Sequence, residues 1–408
     1  MRLLIGATAA LFVASAAGAD PMSFDLALKR ASDAPSVRGR ETSVAAAQSS
    51  AIAADQLPDP KLDFGIKDFP VTGPDAGRFN RDNFTMTTIG VSQQFTNPAK
   101  RHARAAMAAA GIDAAKAGYL VEARSVQLET ALAWTDLYYA QKRLALLQTL
   151  DVSLDDLQQT VNARLTSGSA RPSQALEPAQ LRAKINDRRS ALVSEVARAK
   201  AKLSRFTGDV NPQTAGDPPA LSLDDERLHS SLRALPALRA RDAATRSAEA
   251  LTQSARADKN PDLTISASYG RREPRYGDLV SLGLSIDLPL FAKRRQDPKI
   301  AAAASEAERT RFDRLSTERE WSAALEADLA EHTMHHQRLE NARITLVPLA
   351  RQRAALDRDS YAAGKTDLGT ALLATLSVAE AEVDLLDREA EVTRDSVRIT
   401  ITYAGYDR

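Results

Sequence analysis

Residues 280–290 read Val280-Ser281-Leu282-Gly283-Leu284-Ser285-Ile286-Asp287-Leu288-Pro289-Leu290. Every even position is a large aliphatic residue and every odd one is small, polar or proline. This is the period of two of a β-strand with one apolar and one wet face. Its length suits a tilted membrane strand of about 9–11 residues. One such strand would serve equally well in a soluble sandwich, so its context decides.

Three further segments carry strand patterning: residues 61–69, with Leu62, Phe64 and Ile66 opposing Lys61, Asp63, Gly65 and Lys67; residues 83–95, which alternate less cleanly; and residues 262–269. The four form two hairpins in equivalent places of a duplicated unit, in which residues 57–208 recur as 259–405. Pro60 answers Pro261, Val91-Ser92 answers Leu284-Ser285, and Ala99-Lys100-Arg101 answers Ala292-Lys293-Arg294. Further on, Leu165-Thr166-Ser167-Gly168 answers Tyr361-Ala362-Ala363-Gly364, and residues 203–208 answer 400–405. Repeated hairpins of this kind point to a pore. Four strands cannot close a barrel, since the smallest membrane barrels have about 8. An open edge in lipid leaves backbone groups unpaired at a cost of several kcal/mol each, so an obligate oligomer is expected.

Each hairpin is followed by helical sequence. Residues 98–166 contain no internal proline and predict one helix on the order of 100 Å long. Leu144, Leu147, Leu150, Leu154, Leu157, Val161 and Leu165 form a coiled-coil seam along its later part. A return helix is expected over 172–206, with Ile185, Leu192, Val196, Ala199, Leu203 and Phe206 in the same spacing. The second copy predicts a long helix over 292–362 and a return helix over 367–404, the latter through Leu376, Ala379, Val383, Leu386, Ala390 and Val397. Shorter helices are expected over 23–34, 37–57 and 237–258. The helices over 37–57 and 172–206 sum to roughly 85 Å, enough to line the long helix. The fold class is therefore mainly α with a small β part. Its organisation is residues 1–19, then a first repeat over 20–208, a linker over 209–236 with a short helix near 224–232, and a second repeat over 237–408.

Met1-Arg2, an apolar run over 3–16 and Ala17-Gly18-Ala19 before Asp20 have the order of a secretory signal peptide, which would leave a mature chain starting at Asp20. The 408 residues contain no cysteine, so neither a lipoprotein anchor nor disulfides are expected despite export. Past the leader there is no apolar stretch of about 18 residues, which excludes a bundle of membrane helices. Without Arg2, the 54 Lys+Arg become 53 against 53 Asp+Glu. A neutral chain without a basic surface excludes nucleic acid as partner. No nucleophile elbow, phosphate loop or other catalytic constellation is present, so no enzyme and no cofactor are expected.

Pro98-Ala99-Lys100-Arg101 at the long-helix start, Arg164-Leu165-x-x-Gly168 with its echo Tyr361-x-x-Gly364, and the closing residues 203–208 resemble the TolC-type outer-membrane efflux family over essentially the whole mature chain. Tyr269-Gly270-Arg271-Arg272 and residues 284–297 resemble its cobalt-zinc-cadmium and copper branch. The resemblance implies a homotrimer whose twelve strands form a transmembrane β-barrel in outer-membrane lipid, continued by a periplasmic α-helical barrel. It also implies a tripartite pump, with a periplasmic adaptor and an inner-membrane transporter as partners, in which this chain is the passive exit duct. Heavy-metal cations are the first expected cargo, and drugs or secreted polypeptides the alternative. A periplasmic coiled-coil scaffold is the reading from another class.

The working end is expected at the two hairpin tips, over 164–173 and 361–369. Arg164, Leu165, Gly168, Ser173, Tyr361, Gly364 and Gly369 are candidates for adaptor docking there. Arg and Tyr are favoured anchors at interfaces, and glycine allows the reversal. The family's acidic gate rings would fall where Thr370 and Leu373 stand, so Glu177, Lys365 and Asp367 are the nearest charged substitutes. His332, His335 and His336 share a helical face at i, i+3 and i+4, a spacing able to bind a borderline divalent metal but more often that of a polar helix surface.

Overall fold

The computed structural model describes residues 21–79, 81–166 and 176–406. The leader expected over 1–19 and its expected cleavage site lie outside the described residues. The chain is mostly helical with one small sheet. Its strands are β1 (Lys61–Lys67), β2 (Met86–Phe95), β3 (Leu263–Arg271) and β4 (Leu279–Ile286). The helices are α1 (Phe24–Ala31), α2 (Pro35–Ala54), α3 (Pro98–Thr166), α4 (Glu177–Thr207), α5 (Asp225–Ser231), α6 (Pro236–Ala257), α7 (Ala292–Asn341), α8 (Val347–Ala362) and α9 (Leu368–Ile399).

Two compact units divide the chain, and they cut across the two sequence repeats. One takes Met1–Ala34, Arg124–Ser230 and Ala323–Arg408; the other takes Pro35–Ala123 and Ser231–Ser322. Each therefore draws on both copies, and α3 and α7 contribute to both units.

The first unit is built on aromatic packing. Trp134 of α3 is fully buried, meets Phe24 of α1 edge to face at 5.4 Å, and stacks on Tyr138 at 5.5 Å. Its indole N–H donates to the carbonyl of Met22 at 2.8 Å. Met22 is held on both sides, donating to Gln213 O at 2.7 Å and accepting from Ala215 N at 2.9 Å. Leu203 of α4, Val397 of α9 and Ile401 complete this core.

The second unit holds the sheet, antiparallel throughout in the order β1-β2-β3-β4. Asp262 fastens it to α3: its carboxylate accepts from Asn97 N and from Lys100 Nζ, each at 2.8 Å. Asn97 in turn caps α3, accepting from Ala99 N at 2.9 Å.

Several element ends differ from the sequence expectation, each for a local reason. β1 stops at Lys67 rather than residue 69 because Asp68 adopts φ 55° and Pro70 follows. β2 starts at Met86 rather than residue 83 because Asp82 turns back to accept from Thr85 N at 2.8 Å. β3 runs on to Arg271, two residues past 269, because Arg271 still pairs with Thr87. β4 ends at Ile286, short of 290: Pro289 has no N–H to offer, and Leu290 N closes onto Leu288 O at 2.9 Å. The helix expected over 292–362 is broken by a π-helical segment, Ala342–Leu346, just ahead of Pro348, which cannot donate to the carbonyl four residues back. The helix expected over 367–404 passes into a second π segment, Thr400–Ala404, and stops at Gly405 with φ 85°. α4 is described from Glu177, so 172–175 of the expected return helix lie outside the described residues.

Candidate functional site

Strand register places the alternating residues of all four strands on common faces. Leu62, Val91, Ala267 and Leu282 form one row; Phe64, Ile89, Tyr269 and Val280 form the next, on the same face. Ile265 with Leu284, and Leu263 with Ile286, continue it. The face is bare: Leu282 is 82% exposed, Val280 and Phe64 73%, and Leu284 67%. Covering a large aliphatic side chain with apolar material is worth about 1.5–3 kcal/mol, and soluble chains rarely leave so continuous a patch open. The opposite face carries Lys61, Asp63, Thr88, Ser92, Gln94, Thr264, Ser266, Ser268, Ser281 and Ser285, with Gly65, Gly90, Gly270 and Gly283 among them. At Gly283 an added Cβ would meet Ser266 Oγ at 2.6 Å, so that one position has no room for a side chain.

Aromatic residues mark both ends of the apolar band. Phe69, Phe79, Phe84, Tyr269 and Tyr276 are exposed at the loop end, and Phe95 and Phe291 at the helix end. Arg272 ties the two loops, donating to Asn83 O at 3.0 Å, Gly277 O at 2.7 Å and Tyr276 O at 2.6 Å. None of these rim residues was singled out in the sequence for this role, although rings near most of the strand ends were its signal.

At the second hairpin tip, α8 closes in a Schellman turn: Lys365 N donates to Ser360 O at 2.9 Å and Gly364 N to Tyr361 O at 3.0 Å, with Gly364 at φ 73°. Asp367 then caps α9, accepting from Thr370 N at 2.8 Å. Glu177 arrives at the same place from α4, its Oε2 3.4 Å from where a Cβ on Gly369 would lie. Two of the three charged gate candidates thus meet at one helix N-terminus, where the free amides and the helix dipole favour carboxylates. Lys365 stands exposed beside them.

Tyr361 departs from the expected surface anchor. It is 7% exposed, packed with Leu181, Ile185, Leu368 and Leu372, because α4 covers the turn it sits on. At the first tip, Arg164 and Leu165 lie in α3, while Gly168 and Ser173 lie outside the described residues.

The histidines do not converge. His335 Nδ1 hydrogen-bonds Asp395 Oδ2 of α9, leaving His332 and His336 tilted to each other with ring centroids 6.3 Å apart. Burial holds His332 below the usual histidine range, with His336 and His335 adding to the effect and Asp395 opposing it. Among the described residues no group of three or more His, Asp or Glu side chains is gathered to hold a metal ion. What the sequence reading missed is the carboxylate lining on α9. Glu391 and Asp395 share a cavity of about 200 Å³ with His335, Glu331, Arg394 and Arg398, and Asp395 was legible only as an acid interrupting an otherwise apolar seam.

Comparison with known structures places this architecture. The fold matches a membrane protein from Pseudomonas aeruginosa with a TM-score of 0.80 at 16% identity, over 93% of this chain and 90% of that one. It matches CusC, solved in a study of folding and transmembrane channel formation, at 0.76 and 14% identity, over 94% and 92%. The CmeC outer membrane channel of Campylobacter jejuni gives 0.77 at 11% identity, over 94% and 85%. No curated protein is similar enough in sequence to count as a relative. The fold is that of solved outer-membrane channels, and residues 228–402 match the family of outer membrane efflux proteins.

Proposed function

We propose that this chain is one subunit of an outer-membrane efflux channel, a passive duct through which another component drives the cargo. The observation that carries the reading is the bare apolar face of the sheet, backed by a mostly polar face and bounded by aromatic residues at both ends. Lipid matches such a face. With β1 and β4 at the margins of the sheet, closure requires other copies, and three copies give twelve strands. The leader-like residues 1–19 fit delivery to that membrane, and the hairpin tips fit docking of a periplasmic adaptor that links the duct to an inner-membrane transporter.

Heavy-metal cations are the cargo we favour, on the resemblance of residues 269–272 and 284–297 to the metal-exporting branch. A loose histidine trio suits this role, because a duct that bound its ion tightly would release it slowly. Membrane fractionation and a deletion strain test both levels of the proposal. The mature protein should be extracted from outer membranes by detergent as a trimer, and its loss should sensitise cells to cobalt, zinc, cadmium or copper more than to dyes and detergents. A soluble monomer sinks the duct; sensitivity confined to dyes and detergents sinks the metal cargo alone.

A further inference from the structure

We propose that the loop end of the sheet is a binding site for the phosphate groups of a phosphorylated outer-leaflet glycolipid, centred on Arg271 with Arg81 and Arg275; this rests on the reading of the sheet as a membrane barrel. Arg271 is the last residue of β3 and pairs with Thr87, so it belongs to the face that carries Ile66, Ile89 and Tyr269. It follows Tyr269 by two residues on that face, about 7 Å further along the strand. Aromatic rings sit at the level of lipid headgroups, and the next residue outward on the lipid side is therefore at the level of their phosphates.

The neighbouring loops bring further guanidinium groups to the same end. Arg275 lies over the ring of Tyr276 at 4.6 Å and donates to Arg81 O at 3.2 Å, which draws the two loops together. Arg81, Arg271 and Arg275 are all exposed, and among the described residues none has a carboxylate within salt-bridge distance. The nearby acids are partly committed to other donors, although Arg271 and Arg272 both act on the Asp278 carboxyl. Asp82 accepts from the backbone of Phe84 and Thr85, and Asp278 from the Tyr269 hydroxyl and Arg272 N. Asp68, Asp75 and Glu273 also belong to these loops, so it is position more than net charge that selects the ligand. An arginine fork matches a phosphate in two parallel hydrogen bonds, and a cation beside a lipid face meets that phosphate only as a headgroup.

The test is reconstitution of the full-length protein into phosphatidylcholine vesicles with and without diphosphoryl lipid A, followed by re-extraction and native mass spectrometry of retained glycolipid. The wild type should retain the diphosphoryl form at least about tenfold over its dephosphorylated counterpart, and R81Q/R271Q/R275Q should lose that preference. Arg271→Lys, which keeps the charge but loses the fork, should insert normally and retain an intermediate amount. Arg353→Gln, a substitution far along α8, should behave as wild type. Equal retention of both glycolipids, or unchanged retention by the triple variant, overturns the inference while leaving the barrel intact. Competition by inorganic phosphate as effective as that by the lipid would make this a free-anion site and overturn it likewise. If the wild type enters neither vesicle, the barrel reading falls and this one with it.

Discussion

His335 on α7 and Asp395 on α9 are joined by a hydrogen bond of 2.7 Å, sixty residues apart in the chain. The carboxylate can only accept, so the ring donates through Nδ1. Asp395 also accepts from Arg398 at 3.2 Å, and Arg398 reaches Glu331 at 3.0 Å, so one buried acid organises charges from both helices. Removing it strands its partners: Asp395→Ala should cost about 1–3 kcal/mol, seen as a lower thermal unfolding temperature in detergent. An unchanged temperature would mean that the pair is incidental to the packing.

The partly buried His332 makes a pH-dependent contribution of known sign. Its pKa is depressed in the folded chain, so the unfolded chain takes up the proton first. Stability contributed by this residue is full above the unfolded value of 6.5 and is lost as pH falls through it towards the lower folded value. His332→Leu should therefore flatten the fall of unfolding temperature between about pH 7 and pH 5. A slope identical to that of the wild type would show that other groups carry it.

On the sheet, neighbouring residues of β4 should respond oppositely to the same substitution. Leu284 pairs with Ile265 on the bare face and Ser285 with Thr264 on the wet one. Leu284→Arg should cost about 2–4 kcal/mol in the membrane and reduce assembled protein, whereas Ser285→Arg should be better tolerated. Immunoblotting of outer-membrane trimer measures both. Equal yields would mean that the two faces do not differ in solvent.

At the tip, Gly364 is held at φ 73° with open space where a Cβ would lie, so a side chain there meets backbone strain alone. Gly364→Val should cost about 1–2 kcal/mol and disturb the turn between α8 and α9 without disturbing the sheet. Efflux should be lost while trimer remains extractable from the membrane. Full efflux would place adaptor docking elsewhere.

How much of this could be read in advance differed by the range of the interaction involved. A period of two needs no tertiary partner to be visible, so β1 and β4 were legible along most of their length. Their ends were not, because a side chain such as Asp82 or a left-handed residue such as Asp68 ends a ladder without changing hydropathy. Pro348 was visible, but the pattern around it is helical on both sides, and only geometry reveals the π segment that absorbs it. The candidate site was less legible still. Tyr361 was read as a docking anchor because tyrosine is favoured at interfaces, yet Leu181 and Ile185 bury it from α4. The Asp395 partner of His335 is too distant in sequence for spacing to suggest it, and the rim arginines look like ordinary loop charges until register puts Arg271 on the apolar face.

Met22, Trp134 and Ile401 share one core, although they are contributed by the first, middle and last stretches of the chain. A ribosome releases these stretches in order, so the aromatic packing around Trp134 stays incomplete until the residues of α9 have been made. Through most of its synthesis the polypeptide therefore lacks the contacts that would let this unit collapse into its final form. On the function proposed above, the chain is threaded across one membrane before it assembles in another, and that delay would help it, because this unit cannot close before Ala390, Val397 and Ile401 have been made.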